Sequence, residues 1–405
     1  MASQNPVVII PGVFGSSLEN FFEVDPMSTW SEKTLVSAAL DLFDPFSLAL
    51  DPTGLVDASL HATVRANGLI ASAYDGLVKA LRTRRDAPVY VFPYDWRLST
   101  AESGEALQRF VHGITLKMAR VPRWSGRIDF IAHSFGGLVF RRYLSLDTQA
   151  SNRVGQVVMI AVPHRGVLDA AEAMIRGQSF LLAGRKELRK VARTFPSLYE
   201  ILPTFPKAVT DAHGNDLSLF NLRNWQENVT PNGPDGAEAN GFDVVQERLS
   251  AAQAQQASWR LPTDVVEARN LLTIYAGDPA TTLVHVRQLT NGNISRWFDF
   301  EKATRGEGDG VVAEKSALLD GVASIRVSVS DASPLREFLA RFGSLHAFMP
   351  VLDEVQSITS RFLDGARTAE SLLPRSFQPD RYSEPRSLAV AAQLRAPALA
   401  HQVEN

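Results

Sequence analysis

A mostly parallel α/β sheet flanked by helices is the fold class this sequence predicts, and three observations predict it. Short, continuously apolar, β-branched runs recur at Val7–Ile10, Val89–Phe92 and Val154–Val162, the pattern of strands buried on both faces. Between them apolar residues return at helical spacing, as in Ala73, Leu77, Val78 and Leu81, and in Leu107, Phe110, Val111, Ile114 and Met118 within Ser103–Val121. The connections are short, so the strand–helix–strand units close by right-handed crossovers into a parallel sheet.

The densest signal lies at Ile128-Asp-Phe-Ile-Ala-His-Ser-Phe-Gly-Gly-Leu-Val-Phe140. An apolar run stops at His133-Ser134-Phe135-Gly136-Gly137, and a second resumes with the spacing of a helix. Strand, tight turn and helix with a serine at the apex fit the nucleophile elbow of α/β-hydrolases, G-x-S-x-G. Ala132 stands at the first glycine position and Gly136 at the second. The helix start after Ser134 aims backbone N–H groups at the space above its hydroxyl.

Taken in order, Val7–Ile10 runs into Pro11-Gly-Val-Phe-Gly-Ser-Ser-Leu-Glu19, where glycine lets backbone approach a ligand closely. In lipases the loop at this place supplies one oxyanion N–H. Val13 is the candidate here, with Phe135 as the second donor, and a plain strand-ending turn is the alternative. Residues 20–70 are mixed; the apolar stretch Leu35–Leu50 carries Asp41 and Asp44 and reads as an amphipathic insertion near the site mouth. Val154–Val162 ends in Pro163-His-Arg-Gly166, at the carboxyl edge where open α/β sheets bind ligands. From about 167 to 265 the strand signal fades into helix-like apolar clusters (Phe180-Leu-Leu, Phe195–Pro203) and a Gly/Pro/Asn-rich stretch, 228–240, reads as an exposed loop. A block in this place is where hydrolases carry a lid. Strand character returns at Asn270–Ala276 and at Ser324–Val329, whose alternating polarity suits a sheet edge. The expected organisation is core over 1–165, cap or lid over 166–268, core over 269–372, and a flexible tail over 373–405 rich in Pro, Ala, Ser and Arg.

Composition narrows the function classes. The 405 residues are 45% hydrophobic and 21% charged with net charge −3, an ordinary globular balance with no basic face for nucleic acid. There are no cysteines, hence no disulfide, thiolate metal site or cysteine nucleophile. Without a basic leader or a long apolar span, the expected location is cytoplasmic, with non-classical export left open.

A serine hydroxyl needs a neutral imidazole to take its proton and a carboxylate to orient that imidazole, in the chain order Ser, acid, His. Beyond Ser134 the histidines are His164, His213, His285, His346 and His401. His213 lies in the lid block and His401 in the tail. His285 precedes the best acid, and His164 is read as a pocket-lining loop residue. His346, in Gly-Ser-Leu-His after the last strand, is the base. Asp309 is the acid because Gly308 and Gly310 can present it from a tight turn; Asp278, directly after a strand, is the competitor. The chemistry requires no metal and no cofactor.

Pro11-Gly-x-x-Gly-Ser-x-Leu-Glu19, Pro93-Tyr-Asp-Trp-Arg97, Ala132-His-Ser-Phe-Gly-Gly137, Phe195-Pro-Ser-x-Tyr-x-x-Leu-Pro203, Gly308-Asp-Gly-x-Val312 and His346-x-x-Met349 together resemble the lecithin:cholesterol acyltransferase family, which includes lysosomal phospholipase A2 and bacterial members. The resemblance implies an α/β-hydrolase core with cap and lid, Ser134, Asp309 and His346 as triad, and an oxyanion hole at Val13 and Phe135. Phe14, Asp95, Trp96 and His164 are the candidate pocket residues, Asp95 and Trp96 more as shapers than as contacts. Ser16-Ser17 stand where members with defined lipid substrates carry Asn-Gln, and Val311 where threonine is usual. The expected activity is a serine esterase or lipase, with phospholipase A or acyltransferase action open, on a lipid or other hydrophobic ester, and transient membrane-surface contact open. The alternative is a catalytically silent protein that uses the same pocket to bind a ligand or partner.

Overall fold

Apolar runs become the central strands here because both their faces can be covered by helices. The computed structural model describes residues 5–21, 27–34, 45–50, 64–177, 186–226, 229, 241–291, 295–327 and 345–373. In chain order the strands are β1 (Val7–Ile10), β2 (Ser16–Asn20), β3 (Met27–Trp30), β4 (Val64–Leu69), β5 (Val89–Val91), β6 (Ile128–His133) and β7 (Val154–Ile160). β8 (Val209–Thr210), β9 (Leu271–Ala276), β10 (Asp278–Asn291), β11 (Ser295–Phe298), β12 (Thr304–Gly308) and β13 (Ala323–Val327) follow.

Six of them form one sheet in the order β13-β9-β7-β6-β1-β5, with every neighbouring pair parallel. The fold is that of an α/β-hydrolase. β13 lies at the edge, where its alternating polarity is tolerated. The step from β1 to β5 runs one way across the sheet, and the steps to β6 and β7 run the other. Right-handed crossovers then put the helix Ala71–Arg84 on one face and the helices Thr100–Met118 and Gly136–Leu146 on the opposite one. Packing agrees: Thr100–Met118 lies against Gly136–Leu146, and Ala71–Arg84 against Asp353–Leu363. The crevice at the carboxyl ends of β1 and β6 is therefore the point where strand order reverses, and it is where such sheets bind ligands.

Burial follows the sequence pattern. Every residue of β1 and β6 is buried, and each large apolar side chain so placed contributes about 1.5–3 kcal/mol. The helix predicted from Ser103 starts earlier, at Thr100. Ser99 caps it, accepting from the Ala101 N–H (3.0 Å), while Glu102 accepts from the Ser99 N–H (3.0 Å), a reciprocal pair that satisfies two orphan donors.

The structure adds to the sequence reading at three places. The mixed 20–70 region contributes β3 and β4, which flank β2 in a three-stranded antiparallel sheet, β3-β2-β4. Residues 278–308, to which the apolar pattern assigns no element, form an antiparallel ribbon in which the 14-residue β10 pairs with β11 and β12. β11 and β12 are mostly exposed, so they carry little apolar pattern. The element at His346 is a 3-10 turn, His346–Val351, and the closing helix begins at Asp353. Leu35–Asp44, Phe180–Leu182, nearly all of 228–240 and the tail from 374 lie outside the described residues.

Candidate active site

The turn after β6 carries Ser134 at φ 53°, a left-handed conformation that is uncommon for a non-glycine residue and collects at functional turns. The register pairs Ile10 with Ala132, which brings the loop after β1 against this turn. A Cβ on Gly12 would lie 2.7 Å from the Ser134 Cβ, so only glycine lets the two backbones approach this closely. The helix that follows starts at Gly136 with no side-chain cap.

Three side chains meet across 212 residues of sequence. Ser134 Oγ lies 2.7 Å from His346 Nε2, and His346 Nδ1 lies 2.7 Å from Asp309 Oδ2. All three are buried. The carboxylate can only accept, so Nδ1 carries the ring proton and Nε2 is left bare to accept from the serine hydroxyl. Asp309 is held by backbone: its Oδ1 accepts from the N–H groups of Val311 (2.9 Å) and Val312 (2.7 Å). That turn requires Gly310 at φ 98°, a region side chains rarely enter. The competitor Asp278 instead opens β10, paired in register with Gly308.

Val13 and Phe135 flank Ser134, and among the described residues neither N–H has a hydrogen-bond acceptor in the fold. Phe14, at φ 61°, lines the cavity beside them; its carbonyl accepts from Trp30 Nε1 (2.9 Å) and its ring packs 4.3 Å from Trp96. Asp95 and Trp96 do not reach the cavity. Asp95 clasps Arg97 through both oxygens (2.9 and 2.7 Å), and Trp96 is fully buried, its Nε1 donating to the Ser16 carbonyl. They shape the wall behind Phe14 and Phe195. His164 is buried, its N–H bonded to the Val162 and Ser316 carbonyls (2.9 Å each) and its carbonyl to Arg141 (3.2 Å), and it is not among the residues that line either cavity beside Ser134.

Sequence reasoning missed Tyr74 and His133. His133 Nε2 lies 3.0 Å from the His346 carbonyl, which only accepts, so Nε2 holds the proton and Nδ1 accepts from the Tyr74 hydroxyl at 2.6 Å. The Tyr74 oxygen in turn accepts from the Gly12 N–H at 2.9 Å. One directional chain of neutral groups thus ties the loop bearing Val13 to the backbone of the imidazole opposite Ser134. Burial, then the neighbouring His346, pushes the His133 pKa down to about 3, and burial pushes Tyr74 up, so both stay uncharged. The available signal was His133 beside the serine; nothing in the sequence pointed to Tyr74.

Two cavities converge on Ser134. The larger is walled by apolar side chains including Leu48, Val167, Ala173, Val191, Phe195 and Val312. The smaller lies on the side of Trp30, Ser72, Tyr74 and His133. Among the described residues no group of three or more His, Cys, Asp or Glu side chains could hold a metal ion, and no helix is long and apolar enough to cross a membrane.

A family model matches residues 66–234, from β4 through the elbow and into the helices beyond β7. The matching family is lecithin:cholesterol acyltransferase. That is the family the motifs resemble, and the match includes Tyr74, Asp95, Trp96 and the Ser134 turn. Among solved structures, the crystal structure of the Tle4-Tli4 complex is similar at TM-score 0.53 and 14% identity, over 87% of this chain and 90% of that one. Mature Bacillus licheniformis lipase BlEst2 aligns at TM-score 0.35 and 14% identity, covering 87% and 93%. Phospholipase PlaB from Legionella pneumophila aligns at TM-score 0.38 and 11% identity, covering 80% and 61%. No curated protein matches.

Proposed function

We propose that the protein is a lipid-ester hydrolase of the serine type, with Ser134 as nucleophile, His346 as base and Asp309 as the group that orients it. The observation that carries this reading is the buried hydrogen-bonded chain Ser134–His346–Asp309, at 2.7 Å for each link, opening on an apolar cavity. The lecithin:cholesterol acyltransferase match supports lipid-ester hydrolase or acyltransferase activity.

The steps follow from the atoms. As Ser134 Oγ attacks the ester carbonyl carbon, its proton passes to His346 Nε2, and Asp309 stabilises the imidazolium. The carbonyl oxygen becomes an oxyanion facing the Val13 and Phe135 N–H groups, which have no other acceptor among the described residues. The C–O bond breaks, the leaving alkoxide takes the proton from His346, and the acyl group stays on Ser134. Water, or an alcohol in acyl transfer, then repeats the sequence in reverse. The larger cavity suits the acyl chain and the smaller, more polar one the alcohol. Helices Leu168–Arg176, Lys186–Ala192 and Pro196–Glu200 would act as the cap over the acyl side.

The test is covalent labelling with a fluorophosphonate, read by intact mass, for the wild type and Ser134→Ala side by side. One adduct mapping to Ser134, absent from the variant, with hydrolysis of p-nitrophenyl esters, is the expected result. A folded wild type that stays unlabelled with and without detergent overturns the reading in favour of a silent binding protein.

A further inference from the structure

The larger cavity has one feature that ester chemistry does not use. Among the described residues, and apart from Ser134 and His346, the side chains lining it include a single polar one, Asp169. It lies in the first turn of the helix Leu168–Arg176, flanked along the wall by Val167, Ala170 and Ala173. Its Oδ2 is shielded from bulk solvent and has no hydrogen-bond partner among the described residues. Other buried carboxylates of the molecule are occupied: Asp309 by His346 and two backbone N–H groups, Asp95 by Arg97, Asp129 by Asn5, Arg85 and the Gln156 N–H, Glu200 by Ser99 and Thr100. Asp169 alone among these combines an oxygen without a partner among the described residues with a place in the wall of the cavity beside Ser134.

Such a group has an energetic consequence. A plain alkyl chain that fills the cavity covers the carboxyl and leaves it unsatisfied, which is costly, whereas an oxygen on the chain at the right depth restores the hydrogen bond. Burial, followed by the nearby Glu172, holds the Asp169 carboxyl well above the usual carboxylate range despite Arg305. The shift is toward the protonated form, and a neutral carboxyl both donates and accepts. It suits a hydroxyl or a carbonyl oxygen.

We propose that Asp169 is a specificity-determining residue and that the preferred substrates are esters whose acyl chain carries a hydroxyl or carbonyl oxygen partway along its length. This rests on the reading of the larger cavity as the acyl pocket of Ser134. Sites built to hydrogen-bond a substrate hydroxyl reject the analogue that lacks it far more strongly than apolar pockets reject an added methylene. Asp169 thus turns a permissive greasy pocket into a selective one.

The experiment separates selectivity from catalysis. Hydrolysis of p-nitrophenyl decanoate and of its 3-, 6- and 9-hydroxy derivatives is compared for the wild type, Asp169→Asn and Asp169→Leu, with fluorophosphonate labelling of Ser134 as the control for folding. Binding of the corresponding methyl esters to Ser134→Ala and to the double variant Ser134→Ala/Asp169→Leu is measured by calorimetry. The expected result is a preference of about tenfold for at least one hydroxy isomer in the wild type, the worth of one satisfied buried polar group. Asp169→Asn retains part of it, and Asp169→Leu loses it, read as the ratio of hydroxy to plain decanoate turnover within each variant. Equal turnover of all isomers by an active wild type, or a preference that survives in Asp169→Leu, overturns the proposal. A hydroxy preference in binding with no turnover of any ester would instead remove the esterase reading and leave the role of Asp169 standing.

Discussion

His133 adjoins the serine in sequence yet takes no proton from it; its two ring nitrogens are committed to Tyr74 and to the His346 carbonyl. Its depressed pKa has a consequence for stability. Between about pH 3 and the ordinary histidine value of 6.5 the unfolded chain binds a proton at this position that the native protein does not, so stability rises with pH through that window and is fully present above it. The slope from one such group is about 1.4 kcal/mol per pH unit. Asp129, Asp169, Glu172 and Glu200, raised chiefly by burial, push the opposite way. A difference measurement isolates the imidazole. Urea unfolding of the wild type and of His133→Asn at several pH values from 4.5 to 7 should show the wild type losing stability faster as pH falls. Parallel lines would mean that His133 is not held neutral by the fold.

At the scale of elements, the short helix Pro196–Glu200 is fastened to the start of the helix Thr100–Met118. Glu200 accepts from the Ser99 hydroxyl and from the Thr100 N–H (2.9 Å), so an acidic side chain meets the positive end of a helix dipole. Tyr199 donates to the Arg193 carbonyl (2.9 Å) from the same turn. The Phe195–Pro203 motif is thereby a clasp between the helices that wall the acyl cavity and the core. Glu200→Ala leaves the buried Thr100 N–H without its acceptor and should cost about 1–3 kcal/mol, whereas Glu200→Gln, which still accepts, should cost less than half of that. Urea midpoints measure both; equal losses for the two variants would show that packing, not the acceptor, holds the clasp.

The whole molecule sets what the cavity holds. Its wall is drawn from the loop after β1, the 3-10 turn Pro45–Leu48, the helices after β7 and the turn carrying Asp309, so no single segment determines its length. Ala173, on the helix Leu168–Arg176, lines it where a larger residue would intrude. Ala173→Leu should lower kcat/KM for decanoate esters roughly tenfold, the cost of excluding about two methylenes, with acetate esters unchanged. An equal loss for both chain lengths would place Ala173 outside the path of the chain.

Much of this was legible locally. The elbow, the glycine-flanked acid and the late histidine are short patterns whose spacing reports strand, turn and helix directly, and chain order selected Ser134, Asp309 and His346, the three side chains that the fold brings into one hydrogen-bonded line. The parallel sheet was legible too, because strands covered on both faces must be continuously apolar. What only the tertiary structure decided are relations between distant segments. Tyr74 meets His133 across 59 residues, and His133 meets His346 across 213, through a strand order that no local period encodes. The ribbon β10–β12 left little local trace, since β11 and β12 are mostly exposed and carry few apolar residues to set a period. The sequence placed the serine, acid and histidine in order; only the packing decided that, among the described residues, Asp169 is the one polar side chain besides Ser134 and His346 in the wall of the larger cavity, because such isolation depends on every neighbour at once.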